Sequence, residues 1–283
     1  MTLDPNSALV VLSGGQDSTT CLFWARCEYP GRVHAITFDY GQRHIREIEA
    51  AREVARLAGV TSHEVLALPP GILESTSPIV NQGTTLEQYE DFAAMSQEVG
   101  DRVESTFVPM RNALFLTLAA NRAVALGVGN LVTGVCQQDT ANYPDCRLEF
   151  IEAQADTINK ALGLAEERLR IETPLMYLTK ADSIKLSLDI PGAYEALAWT
   201  HTAYDGAYPP LGNDHATLLR AQGFADAGVP DPLIIRAVDE GLMPWPGKAA
   251  GPHYDFDDDR IMELVVRVAP GANPDWSKGR PVR

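Results

Sequence analysis

The stretch that decides the fold is residues 10–20, Val10-Val11-Leu12-Ser13-Gly14-Gly15-Gln16-Asp17-Ser18-Thr19-Thr20. The apolar run that ends at Leu12 is typical of a buried parallel strand, and the residues that follow Thr19 predict a helix. Glycines between a strand and a helix let backbone N–H groups approach an oxyanion, and the helix N-terminus adds the positive end of its dipole. The sequence therefore predicts an anion-binding loop, to which Ser13, Ser18 and Thr19 add hydroxyl donors.

This loop differs from the two commonest nucleotide-binding motifs. A Walker A loop requires Gly-Lys-Ser/Thr, and no lysine occurs here, while a dinucleotide fingerprint requires a third glycine that is also missing. An ordinary glycine turn is the alternative, but the glycines, the aspartate and the hydroxyls directly after a buried strand disfavour it. We expect Asp17 to hold Mg²⁺ directly or through water. The predicted phosphate-binding residues are Leu12, Ser13, Gly14, Gly15, Gln16, Asp17, Ser18 and Thr19.

The composition favours a small-molecule substrate over a nucleic acid. The chain has 283 residues, of which 45% are hydrophobic, and its formal net charge of −15 gives a pI of about 4.8. Such a surface repels nucleic acid at long range. The first five residues lack the start of a signal peptide, and no apolar run is long enough to span a bilayer, so we expect a cytoplasmic protein without a membrane partner. Its four cysteines are expected to be free thiols.

The order of the predicted elements indicates the fold class. Apolar strands are expected at residues 8–12, 33–38, 63–68 and 129–135, with helices between them. This alternation predicts a doubly wound parallel α/β sheet. We expect residues 1–190 to form this domain, with residues 69–105 inserted as a lid or a mobile loop, and residues 191–283 to form a helical C-terminal region.

Polar residues follow the predicted strands at their carboxyl ends, where ligands of open α/β sheets bind. After the second strand, this places Phe38, Tyr40, Gln42 and Arg43 beside a bound nucleotide. Arg43 also forms a cationic group with His44 and Arg46. A contact with phosphate and a solvated helix start remain equal interpretations of that group.

A second polar set is predicted to bind the other substrate. Arg111 and Asn112 stand at a helix start, where polar side chains cap the helix or face a ligand. Asp139, Tyr143 and Asp145 lie in the loop after the strand at residues 129–135. Carboxylates accept hydrogen bonds from ring N–H and amino groups and an aromatic ring stacks, so this loop suits a heterocyclic base.

Lys180 begins a further predicted helix, after Thr179. The helix dipole disfavours a cation at that position, so we expect the lysine to contact phosphate or developing negative charge rather than solvent alone. Asp17, Lys180 and Arg111 are accordingly the predicted catalytic residues.

Six motifs together resemble the 7-cyano-7-deazaguanine synthase family, and the first of them also resembles the pyrophosphate loop of the N-type ATP pyrophosphatases, which have an adenine nucleotide alpha hydrolase-like fold. The motifs occur in the family's order and span about residues 8–230. They are Ser13–Cys21, Phe38–His44, Thr106–Pro109 with Arg111 and Asn112, Thr133–Cys136, Tyr143–Arg147 and Glu172–Met176.

This resemblance implies a substrate and a reaction. Enzymes of the family adenylate the carboxylate of 7-carboxy-7-deazaguanine with ATP, and ammonia then displaces AMP to give an amide. A second ATP-dependent step dehydrates the amide to the nitrile. The resemblance also suggests a homodimer.

The chain departs from the family at its zinc site. The family has four zinc-ligating cysteines, and none is present here, so a tetrahedral thiolate site cannot form and we expect no zinc. Packing of Trp199, Leu211 and Leu218 is expected to hold these loops instead. The four corresponding residues are Ala203, Leu211, Asp214 and Thr217.

Two further departures flank the expected base pocket. Met110 replaces a family glycine, and Ala141-Asn142 replaces a common Ser-Gly pair. They leave open a paralogue that adenylates the same carboxylate and joins it to another amine, such as one on a protein. A non-catalytic nucleotide-binding module is a third interpretation, which the presence of Asp17 and Lys180 disfavours.

Overall fold

In the described part of the chain, five parallel strands form one sheet in the order β3-β2-β1-β4-β5. The structure is a computed structural model that describes residues 2–138, 141–164, 168–247 and 259–268. The sheet confirms the doubly wound parallel α/β class expected from the sequence. Its strands are β1 (Asp4–Val11), β2 (Val33–Asp39), β3 (Ser62–Ala67), β4 (Val128–Val132) and β5 (Arg170–Glu172).

Helices cover both faces of the sheet, and β1 shows why. Leu9 packs into a core with residues of α4 and α5, whereas its neighbour Val10 packs into a core with residues of α1 and α2. Both faces of the strand are therefore buried, as its continuous apolar run predicts. The helices of the described residues are α1 (Gln16–Glu28), α2 (Arg46–Ala58), α3 (Phe92–Val99), α4 (Arg111–Leu126), α5 (Leu148–Leu162), α6 (Lys180–Asp189), α7 (Ala193–Ala196), α8 (His215–Ala227), α9 (Pro232–Asp239) and α10 (Asp259–Val268).

The strand order places a crevice beside β1. From β1 the chain continues to β2 on one side of the sheet, and from β4 it continues to β5 on the other side. The loops that leave the neighbouring strands β1 and β4 therefore run in opposite directions and leave a crevice between them. β4 is shorter than the predicted strand at residues 129–135, since it ends at Val132. Beyond Val132, the Thr133 N–H still donates a hydrogen bond to the Glu172 carbonyl oxygen of β5, 3.0 Å. The residues after Thr133 belong to the loop at the crevice.

Residues 69–105 leave the sheet and contain α3, whose first turn is capped by Asp91. Met95 and Val99 of this insertion pack against Leu218 of α8. Ile184, before the predicted boundary at residue 190, also shares a core with Phe224. The lid role and the domain boundary stay predictions.

Within the described ranges, no helix has the length and apolar character needed to cross a bilayer.

In the part of the chain that the structure describes, two residues other than glycine have left-handed backbone. Met110 has φ 65° and Asn142 has φ 56°. At both positions the family pattern has glycine, so this chain keeps the backbone conformation while adding a side chain. Met110 is 69% exposed and contributes no cap to α4, whereas the amide of Asn142 donates to the carbonyl oxygens of Gly100, 2.9 Å, and Arg102, 3.1 Å.

We therefore expect opposite effects from two glycine substitutions. Met110→Gly should raise the free energy of unfolding by about 0.5–1 kcal/mol, because relief of left-handed strain exceeds the entropy that glycine adds to the unfolded chain. Asn142→Gly should lower it by about 1 kcal/mol, because asparagine tolerates this conformation and two hydrogen bonds are lost. Urea unfolding measures both, and changes of the same sign would contradict this account.

Candidate functional site

A cavity of about 330 Å³ opens at the carboxyl ends of β1, β2 and β4. The first turns of α4 and α6 and parts of residues 201–220 complete its wall. The structure thus brings together residues from every predicted cluster. Those that line it are Leu12, Ser13, Gly15, Gln16, Asp17, Ser18, Phe38, Tyr40, Gln42, Arg111, Asn112, Tyr143 and Lys180.

The loop after β1 leaves the N-terminus of α1 uncapped. Gly15 is the N-cap residue and offers no side-chain acceptor, whereas Thr179 and Asp214 cap α6 and α8. Ser18 Oγ donates to the Gly15 carbonyl oxygen, 3.1 Å, and lies 3.0 Å from Ser13 Oγ, which holds the loop closed. The backbone N–H groups of the first turn of α1 are therefore available to an anion.

Glycine is required at two contacts of this loop. Gly14 has φ 87°, and a Cβ there would lie 2.2 Å from the Glu47 carbonyl oxygen in α2. A Cβ on Gly134, after β4, would lie 3.0 Å from the backbone nitrogen of Ser18. The C-terminal part of the chain joins the same contact, since the His201 N–H donates to the Gly14 carbonyl oxygen, 2.9 Å.

Asp17 and Lys180 form an ion pair inside the cavity. Lys180 Nζ lies 2.7 Å from Asp17 Oδ2, and both side chains are partly buried. The pair connects the first turn of α1 to the first turn of α6, 163 residues further along the chain. An anion at the α1 terminus would meet both a cation and a carboxylate that can hold a divalent metal ion.

Aromatic rings form another part of the cavity wall. Phe38 stacks on Phe115 with ring centroids 4.2 Å apart, and Tyr40 meets the same ring edge-on at 5.2 Å. The Tyr143 hydroxyl is hydrogen bonded to Thr106, and burial raises the pKa of this phenol well above its usual value. A flat apolar wall with a few fixed polar groups suits a planar heterocycle.

Several predicted site residues lie away from the cavity wall. Thr19 Oγ1 donates to the Gly15 carbonyl oxygen, 2.9 Å, and Arg43 donates to the carbonyl oxygens of Pro78 and Thr84, both 3.3 Å. Gly14 supports the loop through its backbone. Asp145 Oδ2 accepts from the Asn112 N–H, 3.3 Å. Asp139 lies outside the described residues. Roles in ligand binding for these residues stay predictions.

The sequence did not predict several residues of the cavity wall. Glu47 stands in the first turn of α2, directly after the polar segment that follows β2. This position in the sequence could have identified it as a candidate site residue. The others depend on how the chain beyond α7 packs on the loop after β1, which no local pattern shows. They are chiefly His201, Tyr204, His215 and Arg220.

The residues at the four family zinc positions do not fit a zinc ion. Ala203 has no donor, and Leu211 is 64% exposed, so the expectation that Leu211 packs on these loops is wrong. Asp214 caps α8 instead, accepting from the Thr217 N–H, 3.1 Å, and from its hydroxyl, 2.8 Å. Among the residues whose placement is described, no three His, Cys, Asp or Glu side chains form a group able to hold a metal ion.

A buried ion pair holds this region. Arg220 Nε lies 2.6 Å from Asp231 Oδ2, with both side chains nearly inaccessible. The guanidinium also donates to Thr200 Oγ1, 2.8 Å, and Thr202 Oγ1, 3.0 Å. A second cation, Arg236, lies 3.8 Å above the Trp199 ring. Because its hydrogen-bond donors are satisfied, Arg220 fixes the segment that reaches the loop after β1.

The absence of a side chain at Gly223 gives Lys180 its position. A Cβ at Gly223 would lie 2.4 Å from Lys180 Cγ and 3.0 Å from its Cβ. Because these atoms belong to the inner part of the lysine side chain, Gly223→Ala should displace the ammonium from Asp17. We expect turnover to fall by about tenfold or more, while Ala221→Ser, at an exposed position of the same helix, leaves it unchanged. Steady-state kinetics with ATP varied measure this; equal turnover in the two variants would contradict the positioning role.

Together, the parallel sheet and the uncapped helix at its switch point define a class of α/β proteins with an anion-binding loop, the class to which the N-type ATP pyrophosphatases belong. The family model "Queuosine biosynthesis protein QueC" matches residues 7–228. The chain belongs to this QueC family.

Curated relatives agree with this assignment. A 7-cyano-7-deazaguanine synthase from Gloeobacter violaceus is 50% identical over 228 residues, which cover 80% of this chain and 94% of the relative. One from Laribacter hongkongensis is 47% identical over 237 residues, covering 82% and 96%. Among solved structures, the U34-tRNA thiolase NcsA from Methanococcus maripaludis with its [4Fe-4S] cluster is 14% identical with a TM-score of 0.39, covering 96% of this chain and 75% of that one.

Proposed function

We propose that this protein is an ATP-dependent synthase that converts 7-carboxy-7-deazaguanine through an acyl-adenylate to the amide and then to 7-cyano-7-deazaguanine. The names of its relatives give the product. The observation that carries the proposal is the Asp17–Lys180 pair beside the uncapped N-terminus of α1, within a cavity that also has an aromatic wall. The helix N-terminus suits a polyphosphate, and the aromatic wall suits a planar base.

In this proposal, residues 13–18 hold the β- and γ-phosphates of ATP. Mg²⁺ fits the residues present, because this ion is commonly bound by one or two carboxylates together with substrate phosphates, and the Asp17 carboxylate lines the cavity. When bound, the ion neutralises phosphate charge. Gln16 adds a buried side-chain amide whose oxygen and nitrogen have no hydrogen-bond partner among the described residues.

The chain's own cations serve the first chemical step. The substrate carboxylate attacks the α-phosphorus of ATP, a new P–O bond forms, and pyrophosphate leaves. Lys180 Nζ and the Arg111 guanidinium stabilise the negative charge that develops. They stand on the first turns of α4 and α6, two separate elements of the cavity wall, from which they orient the reactants.

The amide forms when ammonia attacks the acyl carbon and AMP leaves. A second ATP then drives removal of the amide oxygen to give the nitrile. Conjugation to another amine is the alternative that Met110 and Asn142 suggested, but the Met110 side chain is exposed and does not line the cavity. The structure therefore offers no specific observation in favour of that alternative. A protein acceptor and a homodimer stay predictions.

The test of this function is an incubation with 7-carboxy-7-deazaguanine, Mg-ATP and ammonia, followed by mass analysis of the base. We expect the nitrile, with AMP and pyrophosphate as the nucleotide products. An amide that goes no further would contradict the proposed end product. Absence of carboxylate-dependent pyrophosphate release would remove the proposed reaction altogether.

Asp17→Asn should separate catalysis from stability. Turnover should fall by about 100-fold or more, because the carboxylate that would hold Mg²⁺ against the phosphates loses its negative charge. The free energy of unfolding should change by less than about 1 kcal/mol, since the ion pair with Lys180 is partly exposed. Glu28→Gln, at the exposed end of the same helix, is the matched control. Unchanged turnover in Asp17→Asn would exclude Asp17 from the mechanism.

A further inference from the structure

Glu47 is a carboxylate of the cavity wall that the mechanism above leaves unused. It stands in the first turn of α2, where its own carbonyl oxygen contacts Gly14 so closely that no Cβ would fit. The backbone of Glu47 is therefore held against the loop after β1, and its side chain faces the cavity between that loop and Arg111. Glu47 therefore lies on the wall of the cavity in which the proposed function places both substrates.

The half-buried Glu47 carboxylate lacks partners that would stabilise its negative charge. Among residues 2–138, 141–164, 168–247 and 259–268, no group donates it a hydrogen bond, and no ion pair reaches it. The other carboxylate of the cavity wall, Asp17, is paired with Lys180 at 2.7 Å. The charged and titratable groups that face Glu47 are Arg111 from α4 and Tyr40 from the loop after β2. Burial raises the pKa of the Glu47 carboxyl to about 7, and the positive charge of Arg111 opposes part of that rise.

The chemistry of the second step requires a proton acceptor. An amine that attacks an acyl carbon becomes positively charged and must lose a proton before the product is stable. Lys180 and Arg111 are cations and cannot serve. His201 is hydrogen bonded through Nε2 to the Ala203 carbonyl oxygen, 2.8 Å, and burial lowers its pKa to about 4, so it is a weak base.

We propose that Glu47 is the catalytic base of amide formation, accepting the proton from the amine nitrogen as it attacks the acyl-adenylate. The inference rests on the proposed function and assigns a residue to its second step. The N–C bond forms, the bond from the acyl carbon to the AMP oxygen breaks, and AMP takes that electron pair. The proton of the attacking nitrogen passes to the Glu47 carboxylate and from there to solvent. Adenylation itself involves no such transfer and does not need Glu47.

The test compares the two half-reactions in Glu47→Gln. Exchange of labelled pyrophosphate into ATP, dependent on 7-carboxy-7-deazaguanine, reports adenylation, and mass analysis of the base reports amide formation from ammonia. We expect exchange within about threefold of the unaltered protein and ammonia-dependent product lowered by about 100-fold or more. Hydroxylamine is a much weaker base than ammonia, so its nitrogen loses the proton to water more readily after attack, and hydroxamate formation should be lowered far less. Glu49→Gln, at an exposed position of the same turn, is the control and should change neither.

Stability against pH checks that the variant is folded and that the carboxyl titrates in place. A carboxyl whose pKa is raised on folding stabilises the folded state at low pH and loses that contribution as pH rises through about 7. Glu47→Gln and the unaltered protein should therefore unfold at the same temperature at pH 4, with the variant more stable at pH 8. Equal unfolding temperatures at both values would overturn the assignment of a raised pKa to this group.

The kinetic results distinguish a failure of the proposed function from a failure of the role assigned to Glu47. If the unaltered protein shows no carboxylate-dependent exchange, the proposed function fails and this inference fails with it. If exchange is normal and Glu47→Gln forms amide from ammonia at the unaltered rate, only the role of Glu47 is overturned. Loss of amide formation in His215→Asn, with Glu47→Gln unaffected, would assign the proton to His215, another titratable group of the cavity wall.

Discussion

The contact between Gly14 and the first turn of α2 is the constraint on which the site depends. It brings the loop after β1 so close to α2 that no side chain fits between them. Two further features meet at this approach. Glu47 is held at the cavity, and the Gly14 carbonyl oxygen accepts from the His201 N–H.

The same contact explains how the C-terminal region joins the site without the cysteines of the family. His201 is anchored to the loop by its backbone, and the flanking Thr200 and Thr202 are anchored to Arg220. The Arg220–Asp231 pair is nearly inaccessible to water and its charges are fully hydrogen bonded, which is the condition under which a buried pair confers order. Asp214 occupies a family zinc position and caps α8, so that position keeps a structural role with different chemistry.

The parts of the structure that depend on local pattern were predictable from the sequence. The apolar run at β1, the glycines after it and the helix that follows determine the parallel sheet and the anion-binding loop, because strand burial, loop geometry and helix dipole are local properties. Arg111, Asn112 and Lys180 were placed correctly at helix starts beside the cavity.

The rest depends on tertiary contacts that no short pattern contains. Leu211 was expected to pack and is exposed, because a buried ion pair distant in sequence holds the loops instead. Arg43, expected at the nucleotide, donates to carbonyl groups of the insertion. The role of Glu47 is visible only when its lack of hydrogen-bond donors and its place beside Gly14 are seen together.

The central claim is that the loop after β1 holds the pyrophosphate half of ATP, so that the substrate carboxylate attacks the α-phosphorus. The most direct measurement uses 7-carboxy-7-deazaguanine labelled with ¹⁸O in its carboxylate, with Mg-ATP and ammonia, and locates the label by mass analysis of the nucleotides. The account predicts that the label appears in AMP, together with unlabelled pyrophosphate. Label in inorganic phosphate, with ADP as the second product, would mean attack at the γ-phosphorus and would contradict it.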